Sequence, residues 1–91
     1  MTLRIERSSE QGTMLIRLIG RLGAEHLGEV RAQIANSEVR PVLDLEEVDL
    51  VDVEAVRFLV SAQRDGIEVR NASPYIREWM SRVRGDKSKG S

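Results

Sequence analysis

Val42-Leu43-Asp44-Leu45-Glu46-Glu47-Val48-Asp49-Leu50-Val51-Asp52-Val53-Glu54-Ala55-Val56 is the stretch that decides the fold. It reads as a short apolar strand over residues 41–45, interrupted by Asp44. An acidic connection follows, and then a helix that starts at Asp52. A carboxylate in that place can accept the free backbone N–H groups of the first helical turn, so Asp52 is the expected cap. Beyond it, Ala55, Val56, Leu59, Val60 and Ala62 recur at helical spacing to about Asp65, and Gly66 is a natural stop. A strand feeding a capped helix is half of a strand–helix–strand unit, which calls for parallel pairing and a right-handed crossover.

Working outward, the same grammar repeats. Residues 2–8 alternate, with Leu3 and Ile5 on one side and Arg4 and Glu6 on the other, as in a half-buried strand near an edge. Residues 9–12 form a turn. Residues 13–19 form a stronger strand, with Met14, Ile16 and Leu18 on one face and Leu15, Arg17 and Ile19 on the other. The pair reads as a hairpin, and Gly20 is expected to break the second strand. Residues 24–36 read as a helix with Leu27, Val30 and Ile34 inward. After Gly66, Ile67 and Val69 alternate with Glu68 and Arg70 in a fourth strand. Ser73-Pro74 opens a last helix, with serine as cap and proline in the first helical position. Its stripe is Ile76, Trp79, Met80 and Val83. Residues 85–91 contain no apolar side chain and read as a flexible tail. The expectation is an α/β domain over 1–84, in the order β-β-α-β-α-β-α. It has a four-stranded mixed sheet with its helices mainly on one face.

The totals restrict the chemistry. With 91 residues the chain makes one domain with one modest core. It has no cysteine and one histidine, His26, which leaves little for a thiolate metal site, a zinc centre or a Ser-His-Asp triad. No run of apolar residues is long enough to span a membrane, and no basic-then-apolar leader pattern opens the chain, so a cytoplasmic location is expected. The net charge of −1 is unevenly spread. Residues 44–63 carry −5, whereas residues 64–91 carry +3. An acidic middle is not the basic face that nucleic-acid binding requires.

Four segments together resemble the STAS domain, the fold of the bacterial anti-anti-sigma factors. Leu15-Ile16-Arg17-Leu18-Ile19-Gly20-Arg21-Leu22 looks like the family's second strand, and Val42-Leu43-Asp44-Leu45-Glu46-Glu47-Val48 like its central strand. Val51-Asp52-Val53-Glu54-Ala55-Val56 stands where the family has its signature turn. Gly66-Ile67-Glu68-Val69-Arg70-Asn71-Ala72-Ser73-Pro74 looks like the last strand and the start of the final helix. The resemblance spans residues 2–84. It implies a non-enzymatic, cofactor-free regulatory domain that works by binding another protein.

The departure from the family is at the turn. Regulated members have Asp-Ser-Ser-Gly there and are phosphorylated on one serine by a partner kinase. Here the turn is Asp52-Val53-Glu54-Ala55. Val53 and Glu54 have no hydroxyl, so phosphorylation at this turn is chemically impossible. Glu54 has two readings. It can mimic the charge of a phosphoserine, which is roughly −1.5 to −2. Alternatively it is a glutamate favouring the positive end of a helix by about 0.3–1 kcal/mol.

The resemblance and the charge pattern give the candidate site. Asp52, Val53, Glu54, Ala55 and Arg57 would meet a partner. Glu46, Glu47 and Asp49 form an acidic rim that steers a basic patch. Asp44 and Gly20 lie at strand ends near the turn, and Arg64 could add to partner choice. Asp49, Asp52 and Glu54 lack calcium-loop spacing, so no metal is expected. His26 has no second catalytic group beside it and reads as exposed or capping. Gly20-Arg21-Leu22-Gly23 lacks the Gly-Lys-Ser/Thr ending of a phosphate loop. Ser9 and Ser37 remain open as other phosphorylation sites.

The partner expected from the resemblance is a kinase-like or anti-sigma protein. The alternatives are the ATPase of an ABC-type transport assembly, or a nucleotide or small ligand. No nucleic acid and no direct membrane insertion are expected, and a homodimer is open.

Overall fold

The computed structural model describes residues 3–90, with side chains described through residue 85. Strand β1 (Leu3–Glu10) and strand β2 (Thr13–Leu22) form an antiparallel hairpin. Gln11 and Gly12 make its two-residue loop, both at positive φ (51° and 82°). This is the turn whose twist matches that of the flanking strands. A 3₁₀ turn (Ala24–His26) leads into helix α1 (Leu27–Ala35). Strand β3 (Val42–Val51), helix α2 (Val53–Arg64), strand β4 (Glu68–Arg70) and helix α3 (Pro74–Gly90) follow. The sheet order is β1-β2-β3-β4, with β2–β3 and β3–β4 parallel. This is the β-β-α-β-α-β-α architecture expected from the sequence.

Both crossovers step the same way along the sheet, so right-handed connections place α1 and α2 on the same face. Helix α3 joins them there. The core is one cluster in which Ile16, Leu18 and Leu22 of β2 meet Leu43 and Leu45 of β3, Val30 of α1, Val56 and Leu59 of α2, and Ile76 and Met80 of α3. Helix α2 buries Ala55, Val56, Phe58, Leu59, Val60 and Ala62, a wider face than either neighbour. Phe58 lies under the Arg31 guanidinium, 5.2 Å from its ring centre, a contact that joins α2 to α1. Helix α2 ends as its glycine requires. Gly66 sits at φ 90°, its N–H donates to Gln63 O, and the Ile67 N–H donates to Ala62 O. At the start of α3, Ser73 Oγ accepts the Ile76 N–H at 3.3 Å.

Several boundaries differ from the sequence reading; β1 continues through Ser9 and Glu10, read as part of the turn, and α1 begins at Leu27 after a 3₁₀ turn. Strand β2 does not stop at Gly20; the glycine, at φ 104°, sits beside an irregularity in the pairing and the strand runs on to Leu22. Helix α3 extends through the segment read as a tail, to Gly90; Ser91 lies outside the described residues.

The largest difference is β3, which covers the whole stretch read as an acidic connection. Arg17 pairs with Asp44, but Ile19 pairs with Glu47; Gly20 pairs with Val48, but Arg21 pairs with Leu50. At each step β3 carries one residue more than β2, as in a bulge. Each extra residue resets the alternation, so Leu45, Val48 and Val51 all turn to the core at intervals of three. Glu46, Glu47, Asp49 and Leu50 face solvent between them.

The helix-free face carries a row of alternating charge, with Glu6, Arg17, Asp44 and Arg70 as successive register partners. Among the described residues, Asp44 is the buried charged one, 4% exposed. Its Oδ1 accepts the Glu46 N–H at 3.0 Å and the Asn71 amide at 3.2 Å, and Arg17 Nε stands 3.9 Å from its Oδ2.

Candidate functional site

The turn from β3 into α2 is built around one carboxylate. Asp52 Oδ1 accepts the Ala55 N–H at 2.8 Å and caps α2. Its Oδ2 accepts the Ala24 N–H at 2.9 Å, at the opening of the 3₁₀ turn after β2. One side chain therefore ties together the two loops at the same end of the parallel strands. The bonds from Ala55 and Ala24 hold its carboxyl below the usual value of 3.8, aided by the positive charge of Arg21 and opposed by partial burial.

Gly23 permits this approach. A Cβ there would stand 2.7 Å from Glu25 Oε1 and 3.3 Å from Asp52 Oδ2. His26 completes the second loop as a cap: its Nδ1 accepts the Gly23 N–H at 3.2 Å, while Nε2 stands 3.9 Å from Glu25 Oε2. Its ring is thus engaged in the loop through Nδ1.

On that frame the turn offers side chains to solvent. Val53 is 41% exposed, and Glu54 and Arg57 form an exposed pair at 3.3 Å. Ala55 points the other way and is wholly buried. Of the residues singled out from sequence, Asp52, Val53, Glu54 and Arg57 thus share one helix start, while Ala55 is part of the core.

Glu46, Glu47 and Asp49 are exposed on β3 at its two bulges, with Glu47 turned toward Arg17 Nη1 at 3.6 Å. Asp44 and Gly20 are framework: the first is buried on the helix-free face and the second is in β2. The Gly20–Gly23 segment is the end of a strand with the residue after it, and holds no phosphate-loop geometry. Among the described residues, no group of three or more His, Asp or Glu side chains is placed to hold a metal ion. No described helix is long and apolar enough to cross a membrane.

Leu50 was missing from the sequence-derived site. It is 55% exposed, two residues before Asp52. The bulge beside it turns it outward, and the Val48-x-x-Val51 spacing was the available signal. With Val53 it gives the turn two exposed aliphatic side chains flanking the capping carboxylate.

No family model matches this chain, and no curated protein matches it. Among solved structures, it is similar to the crystal structure of an uncharacterized protein from the DUF3478 family with a SpoIIAA-like fold, from Shewanella loihica PV-4. The two are 15% identical, with a TM-score of 0.47, over 89% of this chain and 75% of the other.

Proposed function

We propose that this chain is a non-enzymatic protein-interaction domain of the STAS type, which presents the α2 start and the end of β3 to a partner protein. The observation that supports this reading is the display of exposed Leu50, Val53, Glu54 and Arg57 around a carboxylate whose two oxygens both hold backbone N–H groups of the two loops. Exposed aliphatic side chains on a pre-ordered frame are suited to binding, because little order has to be gained on association. The acidic side chains at the β3 bulges favour a partner with a basic patch.

The turn itself has no serine to switch: Val53 and Glu54 stand at its start, with Glu54 beside Arg57 in an exposed pair. The partner is a regulatory kinase-like protein of the kind the STAS resemblance implies.

Affinity capture from the host's lysate tests this. The wild-type chain should retain a partner that Val53→Asp/Glu54→Arg loses. Retention of the same partner by both proteins would place the interface elsewhere. Recovery of a transport ATPase rather than a kinase-like protein would change the partner class and leave the interface standing.

A further inference from the structure

A second surface lies beside the turn, where α2 and α3 leave a groove of about 730 Å³ between them. We propose that this groove binds an acidic amphipathic helix from a partner protein. The inference goes beyond the turn reading, sharing with it only Val53 and Arg57 and the premise that the chain binds proteins.

The groove is lined by the buried Val60, by Trp79 and Val83, which pack against the core, and by the exposed Val53 and Tyr75. Tyr75 is 56% exposed and its ring lies 5.8 Å from that of Trp79, tilted by 54°. Trp79 is partly buried against the core, so the exposed Tyr75 ring extends its apolar surface outward; aromatic side chains of this kind dominate binding surfaces, since they give up much apolar area at little entropic cost. At the far end Arg84 Nη1 donates to Gln63 Oε1 at 2.7 Å, tying the helices together below the groove. From Val53 to Arg64 the floor runs about 16 Å at 1.5 Å per residue, the length of three turns of a third helix.

The rim fixes the sign of the charge. Arg57, Arg64 and Arg82 all line the groove, against one carboxylate, Glu78. Arg57 is paired with Glu54 and Arg82 with Glu78, but these pairs are exposed on both sides, at 62%/54% and 75%/68%. Pairs so open to water contribute little and exchange readily for a ligand's carboxylates. Arg64 has no ion-pair partner among the described residues.

The occupant is an element that none of the three described helices supplies. Formal charge is 0 for α1, +1 for α2 and +3 for α3, so this chain has no acidic helix to offer a second copy. Its acidic segment is the strand β3.

Trp79 is the single tryptophan and lies in the groove floor, so its emission reports occupancy directly. The probes are two synthetic helical peptides of about fourteen residues, roughly 20 Å long. Both carry leucine on one face; one has glutamate elsewhere and the other lysine. The full chain should show a saturable change in Trp79 emission with the glutamate peptide and none with the lysine peptide. Binding should weaken as salt rises. Arg64→Glu/Arg82→Glu should weaken it by at least about tenfold. Tyr75→Ser, which changes no charge, should weaken it as well.

Equal binding of both peptides would overturn the proposal, as would undiminished binding of the glutamate peptide to the double-arginine variant. Silence of Trp79 toward the glutamate peptide would also overturn it, as would self-association that fills the groove in the free protein. Circular dichroism of each variant keeps a folding failure apart from a binding failure. Because no cellular partner enters this assay, its failure leaves the lysate-capture result on the turn untouched.

Discussion

Replacing Asp52 tests the frame of the site. In Asp52→Ala the cap bond to the Ala55 N–H is lost, and so is the bond to the Ala24 N–H. Loss of an N-cap costs about 0.5–2 kcal/mol. Loss of a second hydrogen bond to a charged acceptor at a partly exposed site adds about 1 kcal/mol. Together these give about 1.5–3 kcal/mol, a large share of the stability expected for a domain of this size. Urea unfolding at pH 7 should show this as a lower midpoint with unchanged slope. Asp52→Asn should fall between wild type and alanine. Its one carbonyl oxygen can serve Ala55, but the amide nitrogen then faces the Ala24 N–H, donor against donor.

The pH dependence follows from the lowered carboxyl pKa of the folded state. A depressed pKa contributes stability above the unfolded value of 3.8, and that stability is lost as pH falls through the folded value. The gap between wild type and Asp52→Asn should therefore be full at neutral pH and shrink below pH 3.8. Loss of less than about 0.5 kcal/mol in Asp52→Ala, the usual range for a surface change with no special role, would refute the bridging argument.

Other substitutions separate frame from display. Glu54→Gln removes an exposed pair and a favourable helix-end charge, so stability should change by no more than about 1 kcal/mol in the same urea assay. Asp44→Ala leaves the Glu46 N–H and the Asn71 amide without their acceptor on the helix-free face, and should cost about 2–3 kcal/mol by urea unfolding. Leu59→Ala opens a cavity at a wholly buried position of α2 and should cost about 2–5 kcal/mol, read as a fall in thermal midpoint. Gln11→Asn places a residue tolerant of positive φ in the hairpin loop, where Gln11 sits at φ 51°, and should raise the midpoint by a few degrees.

The helices and the hairpin were legible because their cues are local. Asp52 and Ser73 cap where they were expected to, and Gly66 ends α2 through the two hydrogen bonds that such a glycine makes possible. The second half of β3 was not legible. A strand is recognised by alternation, and two bulges turn that alternation into the interval of three seen at Leu45, Val48 and Val51. The same bulges decide that Leu50 faces out, so the site lost one member for the reason that the strand lost half its length. Asp44 read as a strand-end charge near the turn; only the pairing of three strands shows it in the middle of a charge row. The second acceptor role of Asp52 was out of reach too, since Ala24 is far away in sequence and meets it only once β2 and β3 are parallel.

Amide hydrogen exchange on the captured complex tests the central claim most directly. If the turn is the interface, binding should slow exchange in the peptides covering residues 50–58, and Val53→Asp/Glu54→Arg should abolish that protection. Protection confined to β1 and the helix-free face of the sheet, with residues 50–58 exchanging as in the free protein, would contradict the account.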